Sequence, residues 1–361
     1  MRVLIDINHP AHVHLFKNFA WKMQERGHKV LFTTRKKEIS HILLENLGFE
    51  HIVFGKHYKK TLGKLWGIFK FDTQLLNVSL RFKPDIFISM GSIYGSHAAM
   101  MVRKPNILLQ DTEHASLQHK ITVPFCDVML NPVCFHRKLT EKQMFYQGYH
   151  ELAYLHKNYF TPDPGILKEL GVEEGEKFTI VRLVSWNASH DVGHSGLTVE
   201  NKIKAVQEFA KLSKVFITSE DELPAELKQY QIKILPEKIH DALYYASLLY
   251  GESATMASEC AMLGTPSIFL DNDGRGYTDE LEEKYQLVFN FTESPEDQMK
   301  SIEKGIEILS HPDLKMEWRA RTEKMLSEKI DVTAFLVWFV EQYPQSLTAM
   351  KENPEVQYQF Q

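Results

Sequence analysis

Five loops carry most of the side chains able to act on a ligand, and each follows directly on a short apolar or β-branched run. The first, Asp6-Ile7-Asn8-His9-Pro10-Ala11-His12-Val13-His14, places three histidines where a helix opens. Helix-terminal N–H groups favour an anion there, and a neutral imidazole can take a proton from a hydroxyl near neutral pH. His12 is the expected base and Asn8, His9 and His14 are expected substrate contacts; alternatively, His9 and His14 only cap or pack the turn. The second loop, Ser89-Met90-Gly91-Ser92-Ile93-Tyr94-Gly95-Ser96-His97, lets backbone approach a ligand closely, with Ser92 as a hydroxyl contact, or is a plain strand-to-helix turn. The third, Gln110-Asp111-Thr112-Glu113-His114, puts two carboxylates and a histidine within five residues. Close like charges can raise one carboxylate pKa into a useful range, so Asp111 and Glu113 are expected catalytic groups and His114 a contact. The competing reading has Asp111 or Thr112 capping the next helix.

The fourth loop runs from Ser185 to Gly196 and offers Ser185, Asn187, His190 and Asp191 for phosphate or sugar hydrogen bonding. Its histidines and aspartate resemble a ligand set, but no HExxH-type spacing fixes a geometry, so no metal site is expected. The fifth, Gly251-Glu252-Ser253-Ala254-Thr255-Met256-Ala257-Ser258-Glu259, is a small-residue turn opening a helix. Free amides at Ser253, Thr255 and Met256 could hold a diphosphate, and Glu259 could accept hydrogen bonds from vicinal ribose hydroxyls. A capping box built on Thr255, Ser258 and Glu259 is the structural alternative.

The elements that must position these loops alternate strand and helix. Strands are expected at Val3–Ile7, His28–Thr33, Ile52–Phe54, Asp85–Ser89, Asn106–Gln110 and Val128–Asn131. A second series is expected at Phe178–Val184, Lys214–Thr218, Lys233–Leu235, Leu248–Tyr250, Ser267–Leu270 and Leu287–Phe291. The fold class is α/β with two Rossmann-like, doubly wound domains facing a central cleft. The expected division is residues 1–150, a Pro- and Gly-bearing linker 151–176, a second domain 177–335, and a helix end with a polar tail at 336–361. No glycine stands in the first loop, so the G-x-G-x-x-G dinucleotide fingerprint is absent.

Composition narrows the function classes. The chain has 361 residues, 43% hydrophobic and 25% charged, and a net charge of -5, which lacks the field that broad nucleic-acid binding needs. Cys126, Cys134 and Cys260 form no CxxC pair, which argues against a disulfide framework or structural zinc and for a reducing, cytoplasmic setting. The start MRVLIDINHP has no signal-peptide pattern, and no window holds the roughly 18 uninterrupted apolar residues of a membrane span. Residues 56–71 interleave five lysines with Tyr58, Trp66, Phe69 and Phe71. Such a stretch either lies peripherally on the inner face of an anionic membrane or is a helix packing its apolar side on the sheet.

The turn at Ser253, with Glu259 and Leu263-Gly264-Thr265-Pro266, followed by the loop Asp271 to Tyr277, resembles the C-terminal nucleotide site of the GT-B superfamily. That superfamily includes the lipid-linked N-acetylglucosaminyl transferase of peptidoglycan synthesis and the UDP-N-acetylglucosamine 2-epimerases. Asp6 to Val13 looks like the first loop of the transferase, and Lys83-Pro84-Asp85 into Gly91, with Asn106 to Glu113, looks like the fourth and fifth strands of both groups. The pattern, over roughly residues 1 to 335, is also similar to a GT-B-like domain family of unknown function. The resemblance implies metal-independent transfer of a sugar from a UDP-linked nucleotide-sugar, with no other cofactor, to a hydroxyl of a sugar or lipid-linked sugar, as in surface polysaccharide or glycolipid synthesis. It implies that Glu259 holds the ribose, that Ser253 and Thr255 lie at the diphosphate, and that Arg275 and Tyr277 face the sugar or acceptor. The alternatives are a 2-epimerase-like isomerase and a non-catalytic nucleotide-sugar-binding protein. Ser92 stands where the epimerases carry an aspartate, Ser185 to His190 lacks their arginines, and Asn8, Pro10, Ala254 and Thr255 replace glycines of the transferases.

Overall fold

The computed structural model describes residues 1–36, 39–56, 61–185 and 194–361. Asn187, His190 and Asp191 lie outside them. The chain divides into two compact units, Met1–Tyr159 with Lys329–Gln361, and Phe160–Glu328.

In the first unit the β-branched runs pair into one parallel sheet: β1 (Arg2–Asp6), β2 (Lys29–Lys36), β3 (His51–Lys56), β4 (Ile86–Met90), β5 (Asn106–Leu109), β6 (Val128–Pro132) and β7 (Gln143–Tyr146), in the order β3-β2-β1-β4-β5-β6-β7. Val3, Leu4 and Ile5 are wholly buried, as expected for a strand covered on both faces. The crossovers are α1 (Pro10–Glu25), α2 (Ser40–Asn46), α3 (Thr61–Phe82), α4 (Ile93–Val102) and α5 (Ser116–Thr122), with a short α6 (Leu152–Leu155) after β7. Phe71 and Leu75 of α3 are buried with Leu4, Phe54 and Phe87, so this part of the basic, aromatic stretch packs on the sheet, although Phe69 is exposed.

The second unit repeats the principle: α7 (Gly165–Leu170), β8 (Phe178–Leu183), α8 (Val199–Phe209), β9 (Lys214–Ser219), α9 (Ile239–Tyr245), β10 (Leu248–Gly251), α10 (Ala254–Leu263), β11 (Ser267–Leu270), α11 (Gly276–Glu283), β12 (Val288–Phe291), α12 (Pro295–Ser310) and α13 (Leu314–Ser327). Its parallel sheet runs β12-β11-β10-β8-β9.

Three expectations are corrected. Lys233–Leu235 forms no strand; the chain beside β9 turns through a 3-10 segment, Ala225–Tyr230, and makes a single bridge from Ile217 to Gln231 before Pro236, which has no N–H to donate. β7 is an additional edge strand, too short and too polar on one side to stand out in the sequence. The residues of the polar tail expected after the helix end in 336–361 are helical as well. They continue α14 (Val332–Glu341) into α15 (Gln345–Glu352), and this segment belongs with the first unit. Phe335, Leu336, Phe339 and Val340 are wholly buried, and Thr333 Oγ1 donates to the Ala153 carbonyl of α6 at 2.8 Å. The second unit thus ends at Glu328 rather than at 335.

Candidate functional site

The first sheet reverses its winding between β1 and β4, and ligands of open parallel sheets bind outside the carboxyl ends of strands at such a point. There the register sets Asp6 beside Thr33 and Ser89. Asp6 is only 1% exposed. It accepts from Thr33 Oγ1 at 2.5 Å, from Arg35 Nη1 at 2.8 and 2.7 Å, and from the Ser92 hydroxyl. The Arg35 guanidinium lies 4.1 Å from the Tyr94 ring centroid, between Phe54 and Phe71, and its Nη1 also donates to Asn8 Oδ1 at 2.8 Å. A buried carboxylate needs such pairing. Ser92 is therefore a buried structural residue rather than an open ligand contact: besides donating to Asp6 it caps α4 by accepting from Gly95 N at 2.9 Å.

The histidines of the first loop separate by role. His9 is exposed and caps α1, its Nδ1 accepting from Ala11 N at 3.1 Å, which is the capping alternative. His12 is half-buried, 5.9 Å ring to ring from His9, with Nδ1 at a long 3.4 Å from Asn8 N. His14 packs its ring 5.6 Å from Tyr154 of α6, the packing alternative.

After β5, Asp111 receives His150 Nδ1 at 3.1 Å and Thr112 Oγ1 at 3.0 Å. Burial alone would raise its carboxyl pKa, but the bond and charge of His150, the Thr112 hydroxyl and the charge of His12 hold it below the ordinary value. The expectation of a raised pKa thus fails for Asp111, whose carboxylate is bonded to His150 and Thr112. Glu113 is buried, with its carbonyl accepting from Arg137 Nη1 at 3.0 Å, and His114 is exposed. Neither Asp111 nor Thr112 caps α5, whose N-cap is Ala115. His150, distant in sequence, carries no local signal of its role.

In the second unit the winding reverses between β8 and β10. Ser253, Thr255 and Met256 form a half-exposed turn at the start of α10, where Ser253 Oγ accepts from Met256 N at 3.3 Å. Glu259 lies deeper, 5% exposed, with its Oε1 2.9 Å from His240 Nε2 of α9. It is not the reciprocal member of a capping box. Glu252, at the end of β10, accepts from Val184 N at 3.0 Å and Leu197 N at 2.7 Å. Half-buried Ser185 donates its backbone N–H to Glu220 at 3.2 Å. Arg275 reaches Asp271 at 3.4 Å, while Tyr277 is buried in α11.

Two parallel-sheet Rossmann-like domains in one chain define the GT-B fold, and solved structures share it. S. aureus MnaA in its co-structure with UDP aligns with a TM-score of 0.70 at 12% identity, covering 96% of this chain and 98% of that one. A putative UDP-N-acetylglucosamine 2-epimerase from Listeria monocytogenes gives 0.68 at 11% identity, covering 95% and 96%. The spinosyn rhamnosyltransferase SpnG complexed with spinosyn aglycone gives 0.62 at 14% identity, covering 95% and 100%. The chain belongs to the family described as "Protein of unknown function (DUF354)", which matches residues 1–275. An uncharacterized protein of Methanocaldococcus jannaschii is 28% identical over 277 residues, 74% of this chain and 80% of that protein. Among the described residues no helix is long and apolar enough to cross a membrane.

Proposed function

We propose that this protein is a glycosyltransferase that moves a sugar from a nucleotide-sugar, UDP-linked, to a hydroxyl of an acceptor sugar or lipid-linked sugar. The observation that supports the reading is the placing of His12, in the first turn of α1 after β1, and of Asp111, after β5, beyond the carboxyl ends of one parallel sheet, with Asp111 bonded to His150 at 3.1 Å. An ionised carboxylate in the same site would favour an imidazole that takes a proton, which is what deprotonating an acceptor hydroxyl requires.

In the second unit the diphosphate would rest on the Ser253 to Met256 turn, where helix-terminal amides stabilise the leaving group without a catalytic metal. Glu259, oriented by His240, would accept the ribose hydroxyls. MnaA, solved with UDP, and SpnG, solved with an aglycone, are fold relatives whose ligands suit this division of labour. The test is calorimetric titration with UDP, GDP and dTDP of the wild type and Glu259→Ala, followed by UDP-release assays with and without acceptor. Selective binding of UDP, weakened tenfold or more by the substitution, and release that needs both acceptor and His12 support transfer. Turnover of the nucleotide-sugar without acceptor would instead indicate an isomerase, and binding without turnover a non-catalytic protein.

A further inference from the structure

Near the carboxyl ends of β11 and β12, three segments of the second unit bring His194, Asp271 and Glu293 together. One ligand atom from each lies within 4.8 Å of the others. We propose that they bind one divalent transition-metal ion, of the Zn2+ type, that ties these segments. The proposal does not depend on the glycosyltransferase reading.

The three side chains are 7%, 4% and 2% exposed, so this is a mixed nitrogen and oxygen set held out of water rather than a solvated acidic surface. His194 Nδ1 is 2.5 Å from Glu293 Oε1 and 3.8 Å from Asp271 Oδ1. Metal–ligand bonds of about 2.0–2.2 Å with tetrahedral angles separate donors by about 3.3–3.5 Å. Of the two gaps from His194, one must therefore open by somewhat under about 1 Å and the other close by less, and the third lies within 4.8 Å, movements within reach of side-chain torsions.

The surroundings match what a ligand set needs. The far nitrogen of the ring, Nε2, lies 3.4 Å from Asp273 Oδ2, and a metal-bound histidine commonly donates its other N–H to a carboxylate. Glu293 Oε2 is fixed by Ser195 N at 2.6 Å, Gly196 N at 2.7 Å and Ser195 Oγ at 3.3 Å, which leaves Oε1 as the ligand oxygen. Asp271 Oδ1 accepts Asp273 N at 2.7 Å, and its Oδ2 lies 3.4 Å from Arg275 Nη2. Among the described residues three carboxylates converge here with one guanidinium, and a dication would offset that negative charge. One nitrogen with two carboxylate oxygens suits Zn2+ or Mn2+, whereas Mg2+ prefers oxygen and water.

The experiment titrates chelator-treated full-length protein with ZnCl2, MnCl2 and MgCl2, by calorimetry and thermal melting. Wild type, His194→Ala, Asp271→Asn and the control His311→Ala are compared. The expected result is one equivalent of Zn2+ or Mn2+ in the wild type and in His311→Ala, at least tenfold weaker binding in the other two variants, and no response to Mg2+. Equal binding in folded His194→Ala and Asp271→Asn, or no stoichiometric uptake by the wild type, overturns the proposal. Should both variants fail to fold, the wild type decides: a rise of several degrees in Tm at one equivalent of Zn2+ supports the site, and no rise overturns it.

Discussion

Arg35 reaches Asp6 across two neighbouring strands, its Nη1 2.8 and 2.7 Å from the two carboxylate oxygens, with both side chains at most 5% exposed. The pair holds the ends of β1 and β2 together beside Asn8, which leads into α1 and His12. Removing one partner of a buried ion pair leaves the other uncompensated, at about 3–5 kcal/mol. Arg35→Leu should therefore lower stability by about that amount in urea unfolding, and adding Asp6→Asn should restore part of it. A loss below about 1 kcal/mol would show that the pair is not isolated from water.

Gly251 leads β10 into the Ser253 to Met256 turn with φ +155, and a Cβ there would lie 2.0 Å from the Arg182 carbonyl oxygen of the neighbouring strand. Only a shift of β10 against β8 relieves that clash. Gly251→Ala is expected to cost about 3 kcal/mol or more and to reduce nucleotide binding even where the protein stays folded. Chemical unfolding and calorimetry read the two effects separately.

His97 of α4 bonds Asp72 of α3 through Nδ1 at 2.9 Å. That bond raises the imidazole pKa above 6.5 against the opposing effect of burial. A raised base gives its stabilisation in full below the unfolded value and loses it as pH climbs through the folded one. Melting of wild type and His97→Gln across pH 6 to 9 should show a difference of about 1 kcal/mol at the acid end that shrinks toward the alkaline end. A constant difference would count against the pairing.

For Asp111 the sign is opposite. Its pKa is lowered from 3.8, so its stabilisation is present above that value and is lost as pH falls through the lowered one. His150→Ala should weaken this and shift Asp111 upward, measured by carbon-detected NMR titration of the carboxyl. The acid limb of any pH–rate profile should move with it. An unmoved Asp111 would mean that Thr112 and His12 suffice.

His240 tests the ribose grip without touching Glu259. If Glu259 must be oriented to accept ribose hydroxyls, His240→Ala should weaken UDP binding by about tenfold, or about 1.4 kcal/mol, while the far-UV spectrum is kept. Unchanged affinity would reduce the 2.9 Å contact to a packing feature.

Much of this arrangement is legible locally. Runs such as Val3-Leu4-Ile5 declare buried strands, and the loops following them are where the half-exposed polar side chains lie. What escapes is non-local. Nothing near Asp111 announces His150, and nothing near His194 announces Glu293, because each pairing depends on strand order rather than spacing. Ser92 and Asn8 are polar residues on the right loops, yet they serve Asp6 and Arg35, a distinction that only packing makes. The apolar positions of α14 are clear in sequence, but which unit they cover is not.

The return of α14 to the first unit also sets an order of assembly on the ribosome. Residues that cover α1 and α6 are synthesised only after the whole second unit, on the order of ten seconds later at about 5–20 residues per second. During that interval the nascent first sheet lacks part of its cover, while the second unit can already close on itself. Arrested nascent chains should accordingly become protease-resistant in the second unit first, making the inserted unit the earlier folding partner although it is encoded later.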